Sequence, residues 1–286
     1  MSVVAAVPEE EGRAQPPAGA GDAGPGDRQR AHQAGPAAAP AQTLVAGGGG
    51  GGGGNTATPV PWPLRSTCAY QACYCEENVW LLARSLQASH AGSSLQLFAV
   101  FVSNHSKTVP LWRQRAAAHP DSPVVWDYHV FLLARPAQGP ALVLDLDSTL
   151  EPFPCTLGQY RRGALLGSAG GLPAQYQRCY RVVPAQLFLA HFASDRSHMR
   201  EAGGGWLQPP PPWPPIAGAA AAVAAGATSE EGYGSGTSVP CSNTLPAFLA
   251  FPPVEQLAGG ERQPAAAPWL GSVMSERALL AAFGAG

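Results

Sequence analysis

Three side chains in this sequence have the types and surroundings that thiol acyl transfer needs: Cys75, His129 and Asp145. Cys75 opens a run in which Val79, Leu82, Ala83 and Leu86 recur at i, i+3, i+4 and i+7, which predicts a helix from about Glu76. Glu76 and Glu77 then fall in its first turn, where the helix dipole favours acids. A thiol at such a helix start meets free N–H groups, so its pKa is expected below the ordinary ~8.5, towards a nucleophilic thiolate. His129 lies in Val124 to Leu133, whose β-branched and aromatic residues predict one strand. Its alternation puts Val125, Asp127, His129, Phe131 and Leu133 on one face, and Trp126 and Tyr128 on the other. By itself a histidine in such apolar company is more often a satisfied core residue than a catalyst. The next run, Ala141 to Asp147, is reached through Arg135 to Pro140, whose Pro and Gly predict a turn. With a hairpin centred near residue 137, opposed residue numbers sum to 274 (2 × 137), which sets Asp145 against His129. Directly opposed Cβ atoms are roughly 4.5 to 5.5 Å apart, close enough for a carboxylate to hold an imidazole. The same register sets Asp147 against Asp127, and a slip of two would exchange the two acids. Thiol, imidazole and carboxylate in these positions would be nucleophile, proton carrier and orienting acid.

A sheet must hold these groups, and apolar runs supply one. Leu97 to Val102 reads as a strand buried on both faces, Val109 to Trp112 as a short edge segment and Tyr180 to Val183 as a further strand. Helices are expected from Leu157 to about Leu166, from Ala185 to Phe192, and at the end of Ser272 to Phe283, where Met274, Ala278, Leu279 and Phe283 have helical spacing. His105 and His119 fall in polar loops, and His191 on a helix surface or in the core. Ser194 to Met199 is dense in loop chemistry. It reads as a hydrogen-bonded knot or as a pocket wall whose Asp195 meets a charged amine. Pro209 to Pro215, interrupted by Trp213, has the polyproline II signature of a rigid strap or of a ligand for an SH3 or WW domain.

Composition limits the packed part. With 34 Gly, 30 Pro and only 13% charged residues in 286, much of the chain cannot bury enough apolar surface to fold. Residues 1 to 58, with an uninterrupted glycine run from 47 to 54, are expected to be a disordered extension, and 217 to 238 a disordered Ala/Gly-rich insertion. Residues 59 to 286 then form one catalytic domain. A net charge of −2 without a basic, aromatic-laced patch argues against nucleic-acid binding. No apolar run approaches the ~18 residues that cross a bilayer, and the first residues lack a signal-peptide pattern. The expectation is a cytoplasmic protein, with the nucleus also open to it, whose six cysteines are reduced. Cys68, Cys73 and Cys75 lack the spacing of a zinc site.

Cys73 to Asn78 (Cys-Tyr-Cys-Glu-Glu-Asn), Val125 to Val130 (Val-Trp-Asp-Tyr-His-Val), Asp145 to Asp147 with Pro-Phe-Pro-Cys at 152 to 155, and Phe192 to Met199 together resemble the protein N-terminal glutamine amidohydrolase family. The likeness is dense from about Cys68 to Trp206, and Ser272 to Gly284 is similar to the family's closing helix. It implies an α+β fold with a papain-like or transglutaminase-like core, an antiparallel sheet packed on a helix that carries the nucleophilic cysteine at its N-terminus. It also implies the triad Cys75, His129 and Asp145, with Asp195, Trp126 and Tyr128 as candidate substrate-binding residues. The implied reaction converts the side-chain amide of an N-terminal glutamine to glutamate through a thioester, with no metal or organic cofactor. Its partners would be proteins or peptides with a free N-terminal Gln, acted on by a monomer and passed to arginylation-dependent degradation. A similar proline run follows the same motif in that family, which favours the strap. The rivals are another cysteine acyl-transfer enzyme, a protease or transglutaminase, and a non-catalytic proline-rich scaffold.

Overall fold

A computed structural model of the chain describes residues 62–166, 171–224, 243–257, 262–264 and 267–284. In chain order the elements are α1 (Cys75–Ser89), β1 (Gln96–Ser103), β2 (Val109–Leu111), β3 (Val124–Trp126), β4 (His129–Arg135), β5 (Leu142–Leu144), β6 (Cys155–Thr156), α2 (Leu157–Gly163), β7 (Cys179–Pro184), α3 (Ala185–His191), α4 (Ala219–Ala224), α5 (Leu245–Phe248), β8 (Arg262–Pro264), β9 (Ser272–Ser275) and α6 (Glu276–Phe283). The architecture is α+β. Seven strands form an antiparallel sheet in the order β6-β5-β4-β1-β7-β9-β8, and β2 and β3 pair separately.

The central strands are apolar at nearly every position because both faces of the sheet are covered. On one face Leu97, Ala99 and Phe101 of β1 and Val130, Leu132 and Ala134 of β4 pack with Cys75, Val79, Leu82 and Leu86 of α1 and with Phe188 and Phe248. On the other, Val100, Val102, Phe131 and Leu133 pack with Tyr160 of α2 and Leu279 and Phe283 of α6. The helix periodicity read in α1 is thus the stripe that meets the sheet. α2 starts at a capping box, with Thr156 and Gln159 satisfying each other's backbone N–H groups.

Several expectations need correction. The run Val124 to Leu133 is two strands, because at Asp127 and Tyr128 the chain leaves the β2–β3 ribbon and enters the main sheet. Trp126 consequently shares the layer of Phe131 and Leu133, while Tyr128 joins the α1 layer. The β4–β5 register pairs Leu132 with Leu144, a sum of 276 instead of 274, and the ladder ends there. Asp145 and Asp147 therefore lie just past the paired strand. The last segment is not helical throughout: Ser272–Ser275 is a strand beside β7, and Ser275 caps α6 by accepting the Ala278 N–H. Period 2 and period 3.6 both match four apolar residues so few in number. The expected extension 1–58 and most of 217–238 lie outside the described residues. The first part of the latter is structured: Ala217 bridges Ala193, α4 follows, and Ala221 is buried. Gly218 passes so close to α3 that a Cβ would collide with the carbonyls of Leu189 and Ala190.

Candidate active site

The approach to α1 is built to place residue 75. Cys73 sits at φ 67°, in the left-handed region that side chains other than glycine rarely enter, and turns the chain into the helix. Asn78 clamps this turn from the first helical turn. Its Oδ1 accepts the Gln71 N–H at 2.9 Å and its Nδ2 donates to the Gln71 carbonyl at 2.8 Å. The Cys75 sulfur then lies within the α1–sheet core, 2% exposed, against the backbone N–H of Val130, the residue after His129.

His129 opens β4 and is fully buried. Its Nε2 lies 2.9 Å from Asp145 Oδ1, and the Trp126 ring stacks on it at 5.1 Å between centroids. The carboxylate is held on every side. Oδ1 also accepts the Asp147 N–H at 3.0 Å, while Oδ2 accepts the Tyr160 hydroxyl at 2.9 Å and Gln114 Nε2 at 3.4 Å. These donors and the imidazole outweigh burial and hold Asp145 below the ordinary carboxylate range. Burial alone would lower the His129 pKa, but the charge and hydrogen bond of Asp145 reverse this and raise it above 6.5. With Nε2 committed to Asp145, Nδ1 is the nitrogen left over. It is buried and has no hydrogen-bond partner.

The thiol corrects the expectation from helix polarity. Burial, and then the negative charge of Glu76, push the Cys75 pKa well above the ordinary thiol value, with the Val130 N–H opposing only in part. Desolvation of a buried anion exceeds what one helix end supplies. Its S–H is directed at Glu76 Oε2, 3.5 Å away.

Sequence reasoning missed Gln114, Tyr160 and Glu76. The first two come from a loop and a helix with no motif to mark them, and Glu76 reads as an ordinary first-turn acid. Of the candidate substrate-binding residues, Tyr128 is buried and donates its hydroxyl to Glu76 Oε2 at 3.1 Å, and Trp126 is buried with its indole N–H unpaired. Asp195 is exposed, and its Oδ1 accepts the Ser197 N–H at 2.9 Å. The knot around it is real: Arg196 grips Glu77 of α1 through two 2.8 Å bonds, and Trp213 Nε1 reaches the same carboxylate at 2.7 Å. Arg196 also donates to the Trp213 carbonyl, so the proline-rich segment is strapped to the helix that carries Cys75.

His129, Asp145 and Asp147 bring ligand-type atoms within 4.8 Å of one another. They spend them on one another and on Tyr70, whose hydroxyl reaches Asp147 Oδ1 at 2.6 Å, so a cation would have to displace bonds already made. Among the described residues, no helix is long and apolar enough to cross a membrane.

Comparison with known proteins adds a family likeness over the stretch that contains this site. A model of the N-terminal glutamine amidase family matches residues 70–231. A protein N-terminal glutamine amidohydrolase of Danio rerio is 44% identical over 144 residues, 50% of this chain and 70% of that protein. The protein of the same name from Drosophila mojavensis is 44% identical over 152 residues, 53% and 73% of the two chains, and that from Drosophila melanogaster 43% over 147, 51% and 71%.

Proposed function

This chain belongs to the N-terminal glutamine amidase family, hydrolases acting on an amide bond, and from that premise we propose that it deamidates N-terminal glutamine with Cys75, His129 and Asp145 as its catalytic triad. One arrangement supports the triad: His129 gives Nε2 to a fully bonded Asp145 and keeps Nδ1 free, while Cys75 approaches the next residue of the same strand. Asp145 fixes the tautomer with the proton on Nε2, which leaves a lone pair on Nδ1 as the base. The neutral thiol transfers its proton to Nδ1 as sulfur bonds to the side-chain carboxamide carbon. The tetrahedral oxyanion accepts N–H groups at the start of α1. The C–N bond then breaks, the leaving nitrogen takes the proton from His129, and ammonia departs from a thioester. Water attacks the thioester, His129 takes its proton, and the thiol is restored beside an N-terminal glutamate. We read the core as papain-like or transglutaminase-like on the same grounds, since one helix start supplies the nucleophile and an antiparallel sheet the imidazole. The product terminus suits arginylation-dependent degradation.

The test is ammonia release from a peptide beginning with Gln. Turnover is expected for that peptide and its loss in Cys75→Ala with the fold retained. Peptides with an acetylated N-terminus, an internal Gln or an N-terminal Asn should react far more slowly. Asn moves the carbonyl carbon by roughly 1.5 Å, and misplacement by about 1 Å costs on the order of a hundredfold. Comparable rates on internal Gln would overturn the assignment in favour of a transglutaminase-like activity.

A further inference from the structure

A buried carboxylate beside the nucleophile has no use in this mechanism. Glu76 is fully buried, and its two oxygens have different fates. Oε2 accepts the Tyr128 hydroxyl at 3.1 Å and faces the Cys75 S–H at 3.5 Å. Oε1 has no hydrogen bond. Among the described residues the imidazole within ion-pair range of Glu76 is His198, with Nε2 at 3.5 Å from Oε1 in an arrangement that makes no hydrogen bond. Both nitrogens of His198 are unbonded and its side chain is one-fifth exposed, so no bond holds the ring over Oε1. Arg196, the nearby guanidinium, is committed to Glu77. A buried carboxyl oxygen left without a hydrogen bond is costly, and a site that tolerates this is incomplete.

Taking the proposed reaction as given, we infer that Glu76 is the carboxylate that binds the α-ammonium of the substrate, in the place where His198 rests in the free protein. The dimensions fit. In glutamine four single bonds of roughly 1.5 Å link the carboxamide carbon to the amine nitrogen, so the ammonium lies roughly 4 to 5 Å from the carbon under attack. A carboxylate with its nearer oxygen 3.5 Å from the sulfur is within reach of that nitrogen while the carbon meets the thiol. Tyr128 is then a positioning residue, holding Oε2 so that Oε1 faces the entering group. Acetylated and internal glutamines lack the charge that completes the pair. Asparagine, one carbon shorter, holds its carboxamide carbon roughly 1.5 Å from where glutamine's would meet the thiol when its ammonium sits on Oε1.

The experiment compares two peptides that differ in one group: one begins with glutamine, the other with the same residue carrying hydrogen in place of its amine. For each enzyme the ratio of kcat/KM on the two is read, because an effect of Glu76 on the thiol enters both rates and cancels. The unaltered protein should prefer the amine peptide on the order of a hundredfold, the value of a hydrogen bond between charged groups. Glu76→Gln should bring the ratio to within a few-fold of one, chiefly by slowing the amine peptide. Where Glu76→Gln does not fold, Glu76→Asp provides the same reading, with the ratio reduced because the charge is withdrawn by one carbon. A ratio that persists in these variants overturns the inference, and so does a ratio that collapses in Asp195→Asn alone. Failure of the unaltered protein on the amine peptide would instead strike at the deamidation reading itself.

Discussion

In the proposed reaction His129 and Cys75 both titrate above their ordinary values, and His129 sets the acidic limit of activity. An imidazole already protonated cannot accept the thiol proton, so kcat/KM should rise with pH through the His129 pKa. Because Asp145 raises that pKa, the acidic limb should lie above pH 6.5. Asp145→Asn removes the largest of the effects that oppose the burial of His129 and leaves the charges of Asp147 and Glu76 against it. The limb should then move to lower pH while kcat drops on the order of 10² to 10⁴-fold, as expected when the tautomer is no longer held. A pH profile of both proteins checks the direction; a limb that stays in place would separate Asp145 from His129. At this scale the sequence was legible where residue type carried the chemistry, as with a thiol at a helix start. The charge state of that thiol was not legible. It depends on how much protein surrounds Cys75 and on which way Glu76 turns, and neither is written in local spacing.

Among the elements, α1 is the one the others serve: its start is set by Cys73 and Asn78, and its outer side is gripped by the strap. Glu77 collects Arg196 and Trp213 on one buried carboxylate, so loss of its charge leaves a guanidinium in the interior with no anion. Glu77→Gln should cost about 3 to 5 kcal/mol, the range for breaking a buried pair on one side. Thermal unfolding should then shift down by roughly 10 °C. A change of only a degree or two would mean that the proline segment is not fastened there. The strap was foreseeable as a stiff polyproline run, but its anchor was not, because 136 residues separate Trp213 from Glu77. The hairpin shows how a contact can be reached by another route. A turn centred near residue 137 implied that Asp145 faces His129 across a ladder, yet the ladder ends at Leu144 and the carboxylate meets the ring from beyond the paired strand. Loop length decided the register, and a symmetric turn is only one way to use five or six residues.

For the whole molecule, the elements that form the site lie between Gln71 and Trp213, and the family model begins at residue 70. Removal of residues 1 to 58 should leave turnover within a few-fold, since a segment so poor in apolar side chains has little to contribute to a core. Ammonia release by the shortened chain measures this, and failure of that chain to fold would move the domain boundary towards the N-terminus. The unbroken apolar runs of the central strands made the two-faced sheet legible, because a strand covered on both faces has no polar side. The split between β3 and β4 escaped, because a single Asp127 is the only polar residue there and no Gly or Pro marks the place where the chain changes sheets. The enclosure of Cys75 bears on how long such an enzyme lasts. Peroxide attacks exposed thiolates, and this sulfur is buried, with burial pushing its pKa up. If Cys75 is the nucleophile, as proposed, its enclosure should make it slower to oxidise with peroxide than the half-buried Cys68 and Cys73, a difference that mass spectrometry of the treated protein would read.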